Sequence, residues 1–115
     1  MRLDSAFIRL PLRVDAARLA AEVASLDPSA WKPHPQGEPG NAAVPLVARG
    51  GDPADDTAGG AMAPTPHLAR LPYVRQVLAA LDTVVGRTRL MRIDAGGTTR
   101  PHADTNDYWW DHLRI

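Results

Sequence analysis

Arg87–Ile115, RTRLMRIDAGGTTRPHADTNDYWWDHLRI, holds the chain's densest run of strand, turn and candidate-ligand signals. Arg89-Leu90-Met91-Arg92-Ile93 reads as a half-buried strand from its polar and apolar alternation, and Asp94-Ala95-Gly96-Gly97 supplies turn chemistry after it. Thr98-Thr99-Arg100-Pro101 leads back into extended backbone, because Pro101 fixes its own φ and biases Arg100 towards the β or polyproline region. His102 then sits just past a stiffened segment, with Asp104 two residues on. Tyr108–Ile115 alternates again and is the last strand expected.

Side chains at i and i+2 of an extended chain look the same way, so His102 and Asp104 present an imidazole and a carboxylate to one point. Two histidines and one carboxylate on one face of an octahedron form the facial site of non-haem Fe(II) oxygenases, and this pair is two thirds of it. The third ligand is harder to place. His34 lies in the proline-flanked segment Trp31-Lys32-Pro33-His34-Pro35 and reads as a solvated loop residue. His67 follows Pro64-Thr65-Pro66 at the start of a helix and reads as exposed, while His112 follows Trp109-Trp110 by too short a step to reach back easily.

Leu90–Gly97, then Pro101-His102-Ala103-Asp104, then Trp109–Ile115, resembles the start of the catalytic core in the aspartyl/asparaginyl β-hydroxylase family, of which bacterial proline hydroxylases are relatives. The resemblance is close over about a quarter of the chain. It implies a double-stranded β-helix (jelly-roll, cupin-like) fold, Fe(II), 2-oxoglutarate as cosubstrate, O2, and hydroxylation of an aspartyl/asparaginyl or prolyl substrate, as peptide or free amino acid. Carried over residue by residue, it makes His102 and Asp104 the metal ligands and Arg114 a cosubstrate-binding arginine. Met91 and Ile93 match strand positions facing the same pocket. The strand bearing the family's second iron histidine, and the basic residue after it, have no counterpart in these 115 residues.

The expectation is therefore an α+β chain that forms the N-terminal part of a jelly roll with two flanking helices. It is a single incomplete domain, 1–115, with a helix-and-loop lead-in over 1–86 and the start of the catalytic core over 87–115. A jelly roll needs about eight strands, against about five candidates here. The chain as given is expected to have weak or no activity. The alternatives are a non-catalytic truncated jelly-roll module and an unrelated small α+β binding domain.

Ahead of the core, Ala6–Leu12 suits an edge strand that tolerates Pro11. Asp15 caps a helix over Ala16–Leu26 with Leu19, Val23 and Leu26 on one stripe. Residues 32–66 read mostly as loop, with Val44–Ala48 a short strand; the run from Arg49 to Asp56 reads as a charged surface connection, or else as a substrate lid. Asp52, Asp55 and Asp56 lack the ligand spacing of a calcium loop. A second helix is predicted over Leu71–Val85, closed by Gly86 and buttressing a sheet from Thr88.

Thirteen basic against thirteen acidic residues, with no basic run, argue against a nucleic-acid partner. Zero cysteines exclude disulfides and thiolate metal sites. Charges at Arg2, Asp4, Arg9 and Arg13 break up any signal-peptide core, and neither helix is long and apolar enough to span a bilayer, so no membrane partner and a cytoplasmic location are expected. The partners implied are a small-molecule or peptide substrate and O2; the oligomeric state stays open.

Overall fold

In the computed structural model, which describes residues 9–34 and 37–102, the chain organises around a single strand, β2 (Asn41–Arg49). β1 (Lys32–Pro33) and β3 (Met62–Pro64) pair with its two ends along one edge, and β4 (Thr88–Ile93) runs along the other. Every pairing is antiparallel, which makes the described part an α+β domain with a four-stranded antiparallel sheet.

β2 is buried from Asn41 to Ala48. A strand covered on both faces carries no period-two pattern, which is why only Val44–Ala48 stands out in the sequence and the nine-residue strand does not. The segment 32–66, expected to be mostly loop, supplies three of the four strands. Pro45 is tolerated at the sheet centre because the β2–β4 register shifts there: Pro45 faces Arg89 and Val47 faces Thr88, leaving Leu46 as the extra residue of a bulge. The carbonyls beside that irregularity find a partner in Thr65, whose hydroxyl donates to Pro45 O at 2.8 Å and whose N–H donates to Leu46 O at 2.9 Å.

Three α-helices surround the sheet, the second packing against β2 and β3 and the first against the third. α1 (Ala16–Ala24) starts where the sequence places it, with the Asp15 side chain accepting from Arg18 N–H at 3.0 Å. α2 (Pro66–Ala69) is a single turn that the sequence reading did not separate. α3 (Pro72–Ala79) ends well short of the predicted Val85. Its C-terminus unwinds through Asp82, which takes a left-handed φ of 48°, and Thr83-Val84-Val85 follows as a β-branched run that resists helix; Gly86 plays no capping part. The predicted edge strand falls partly outside the described residues, and its described part, 9–12, is not strand.

Leu46, Val44 and Leu71 are fully buried in one core with Ala30, Val47, Leu68 and Val74; Leu19 and Leu26 of the predicted stripe, Trp31, Met62 and Leu90 pack around it. α1 and α3 are joined by polar contacts as well. α3 has no side-chain cap of its own, and the Glu22 carboxylate of α1 accepts from Tyr73 N–H at 2.6 Å and Val74 N–H at 3.0 Å, satisfying two of its first-turn donors. In return the Tyr73 hydroxyl accepts from Asp15 N–H at 2.6 Å.

Candidate functional site

β4 sets the positions of the predicted site residues. Leu90 pairs with Val44 and turns to the core, so Met91 and Ile93 point to the opposite face, where each is about half exposed (52% and 56%). Arg92, on the Leu90 side, lies with its guanidinium 4.7 Å from the Trp31 ring centre and reaches Asp94 at 2.9 Å. Met91 and Ile93 therefore do share one face, as the sequence reading requires of them.

After Ile93 the chain reverses in the predicted turn, closed by Gly97 N–H donating to Asp94 O at 2.8 Å. The turn is pressed against Gly40, whose backbone accepts from Asp94 N–H at 2.8 Å. A Cβ on Gly40 would lie 3.0 Å from the Cα of Gly97, and Gly40 has a φ of 73°, so both space and backbone conformation call for glycine there. Asn41, buried at the start of β2, then takes hold of the returning chain: its amide nitrogen donates to Thr98 O at 2.9 Å and to Thr99 Oγ1 at 3.2 Å. Glu38 holds the next residue, accepting from Arg100 Nε at 3.2 Å and from Arg100 N–H at 3.3 Å. The Arg100 hydrogen bond, first among its causes, keeps the Glu38 carboxyl below the usual carboxylate range.

These contacts deliver His102 to the surface at the Asn41 end of the sheet. Its Nδ1 stands 2.8 Å from Arg100 O. A carbonyl oxygen only accepts, so Nδ1 is the donor in this contact, and in the neutral ring that is the Nδ1–H tautomer. That is the tautomer in which a metal-binding histidine is usually held, by a backbone carbonyl behind the ring. Asp104, Arg114 and His112 lie outside the described residues. Among the described residues, no group of three His, Asp or Glu side chains is placed to hold a metal ion.

Of the other described histidines, His34 lies at the same Asn41 end of the sheet and His67 lies on α2. His34, half-buried at the end of β1, donates its backbone N–H to Asn41 O at 3.0 Å. His67, also only half-exposed, lies on α2 beside Asp27 and Arg70, around a recess of about 210 Å³. Sequence reasoning missed Glu38, Gly40 and Asn41. Each acts on a residue roughly sixty positions away, and no local pattern marks such a contact.

No helix among the described residues is long and apolar enough to cross a membrane. Comparison with protein-family models, with curated proteins and with solved structures gives no match to this chain.

Proposed function

We propose that this chain carries the first metal-ligand motif of an Fe(II)/2-oxoglutarate-dependent hydroxylase similar to the aspartyl/asparaginyl β-hydroxylases, with its antiparallel sheet forming the start of a jelly roll. The observation that carries the reading is the His102 ring, set by the Arg100 carbonyl in the tautomer that puts a lone pair on Nε2. The extended segment that presents it is fastened by Asn41 and Glu38, so the ring has a fixed support of the kind a metal ligand needs.

In this proposal His102 and Asp104 would hold the metal, and Arg114 would supply a positive charge for a carboxylate of the keto acid. Met91 and Ile93 form an apolar wall on the opposite side of β4 from the core. With Fe(II) bound, 2-oxoglutarate is oxidised to succinate and CO2, one oxygen atom of O2 passing to succinate and the other into a substrate C–H bond. An aspartyl, asparaginyl or prolyl substrate and a cytoplasmic location belong to the same proposal.

The test is anaerobic addition of Fe(II) and 2-oxoglutarate, following the weak metal-to-ligand charge-transfer band in wild type and in His102→Ala. A band present in wild type and absent in the variant supports the site. A band of equal strength in wild type and in His102→Ala overturns it, and no band in folded wild type means that these residues alone do not assemble the site.

A further inference from the structure

The segment from Gly50 to Ala61 joins β2 to β3, which pair with each other through Val47–Arg49 and Met62–Pro64, yet it is far longer than a hairpin of this kind requires. Its two ends are glycine pairs with left-handed φ, Gly50 and Gly51 at 61° and 74°, Gly59 and Gly60 at 90° and 84°. A side chain would not fit at Gly51, where a Cβ would meet Pro64 O at 2.8 Å, and at Gly60 a Cβ would push on the Arg49 side chain at 2.9 Å. Between the pairs the segment is tied down by charge. Asp56 takes Arg87 on its backbone oxygen at 2.6 Å and on its carboxylate at 3.2 Å, and Arg89 reaches the same carboxylate at 3.3 Å. Arg49 bonds Asp55 at 2.7 Å, and Lys32 Nζ donates to Pro53 O at 2.8 Å.

The segment thus crosses from β1, past its own strand, to β4, and its only described attachments between the glycine pairs to other strands are made by cationic side chains. Fastening by polar side-chain contacts at the surface is one mark of a region that opens locally at little cost. The attachment points also adjoin an open groove of about 640 Å³. Met62, Ala63 and Pro64, directly after the segment, line one side of it, α3 lines another, and Thr83 and Val85, in the connection that leads to Arg87, complete it. Drawing Asp56 onto Arg87 and Arg89 therefore tethers the first of these sides to the last.

We propose that 50–61 is an ion-pair-latched strap, hinged on its two glycine pairs, whose release at Asp56 loosens both the strap and the walls of the groove between β3 and the segment before β4. Backbone hydrogen exchange of wild type and Asp56→Asn at about 20 mM and about 500 mM salt tests it, since the half-exposed Asp56 carboxylate leaves these pairs open to screening at the higher salt. At low salt the strap amides of the variant exchange about two- to tenfold faster than wild type, the range expected for losing such pairs. High salt raises wild type to the variant's rate, while buried β2 amides stay unchanged in both. Equal strap exchange in the two proteins at both salts overturns the latch. Faster strap exchange without any change at 62–64 and 83–87 overturns the coupling to the groove. Should Asp56→Asn also loosen β2, the salt response of wild type alone decides.

Discussion

The two ends of β2 fasten the rest of the chain by different physics. At the Asn41 end a buried amide and a glycine-to-glycine contact hold the returning chain after β4, and Glu38 adds a charged contact to Arg100. At the Arg49 end the strap is held by ion pairs in which one partner is open to solvent, and by one lysine. A buried neutral hydrogen bond is costly to break and indifferent to salt, whereas an exposed ion pair is weak and screened. The molecule therefore has a stiff end, which presents His102, and a compliant end, which borders the groove.

The largest effect should come from the residue that serves both ends. Leu46 is the extra residue of the bulge and is fully buried, so Leu46→Ala removes core volume exactly where the strand changes register, and should cost about 2–5 kcal/mol in urea unfolding. Both ends should loosen together in hydrogen exchange. If only the Arg49 end responded, the two ends would be independent units and the single-strand account of the fold would be wrong.

Next comes the stiff end alone. Asn41→Ala leaves Thr98 O without its donor in a part-buried site and should cost about 1–3 kcal/mol. Gly40→Ala combines left-handed strain with the close approach to Gly97 and should cost a similar amount, about 1–3 kcal/mol. Both should weaken the Fe(II) band assigned to His102 while leaving strap exchange at its wild-type rate. Undiminished metal binding in Asn41→Ala would mean that the His102 segment is positioned by something other than this amide.

The compliant and stiff ends were not equally legible in the sequence. α1 was readable because Asp15 and the Leu19–Leu26 stripe are local signals, and β4 with its turn was readable because one side of the strand faces solvent. β2 hid its extent: Asn-Ala-Ala-Val-Pro-Leu-Val-Ala-Arg is covered on both faces and interrupted by a proline that only a bulge can excuse. The end of α3 was misplaced because Leu81 and Val85 continue an apolar spacing that the left-handed Asp82 breaks. In the candidate site, His102 could be picked out from its motif, but the residues that hold it, Glu38 and Asn41, are joined to it only by the fold.

Acid should separate the ends again. Asp55 is held from the ordinary 3.8 down to about 2, first by its hydrogen bonds from Thr57 and then by Arg49. Glu38 is lowered by Arg100. A carboxyl whose folded pKa is depressed contributes stability that is present above its unfolded pKa and is lost as pH falls through the folded value. The Asp55 share should therefore fade between about pH 4 and pH 2. Thermal unfolding over that window should fall less steeply in Asp55→Asn than in wild type, and an identical slope would remove Asp55 from the account.

The smallest effects distinguish the ends most cleanly. Arg49→Gln and Arg100→Gln each remove one exposed guanidinium from one carboxylate, and by the ordinary weakness of such pairs both should shift the melting temperature only slightly. Their local consequences should differ. Arg100 is two residues from His102 and its carbonyl holds the imidazole, so loosening its side chain from Glu38 should lower Fe(II) affinity without touching the strap. Arg49→Gln should speed exchange at Asp55–Thr57 and leave the metal titration unchanged. The same two readouts exchanged between the variants would place the compliant end at Asn41, since a pair that moves the distant site while sparing its neighbours cannot be a local fastening.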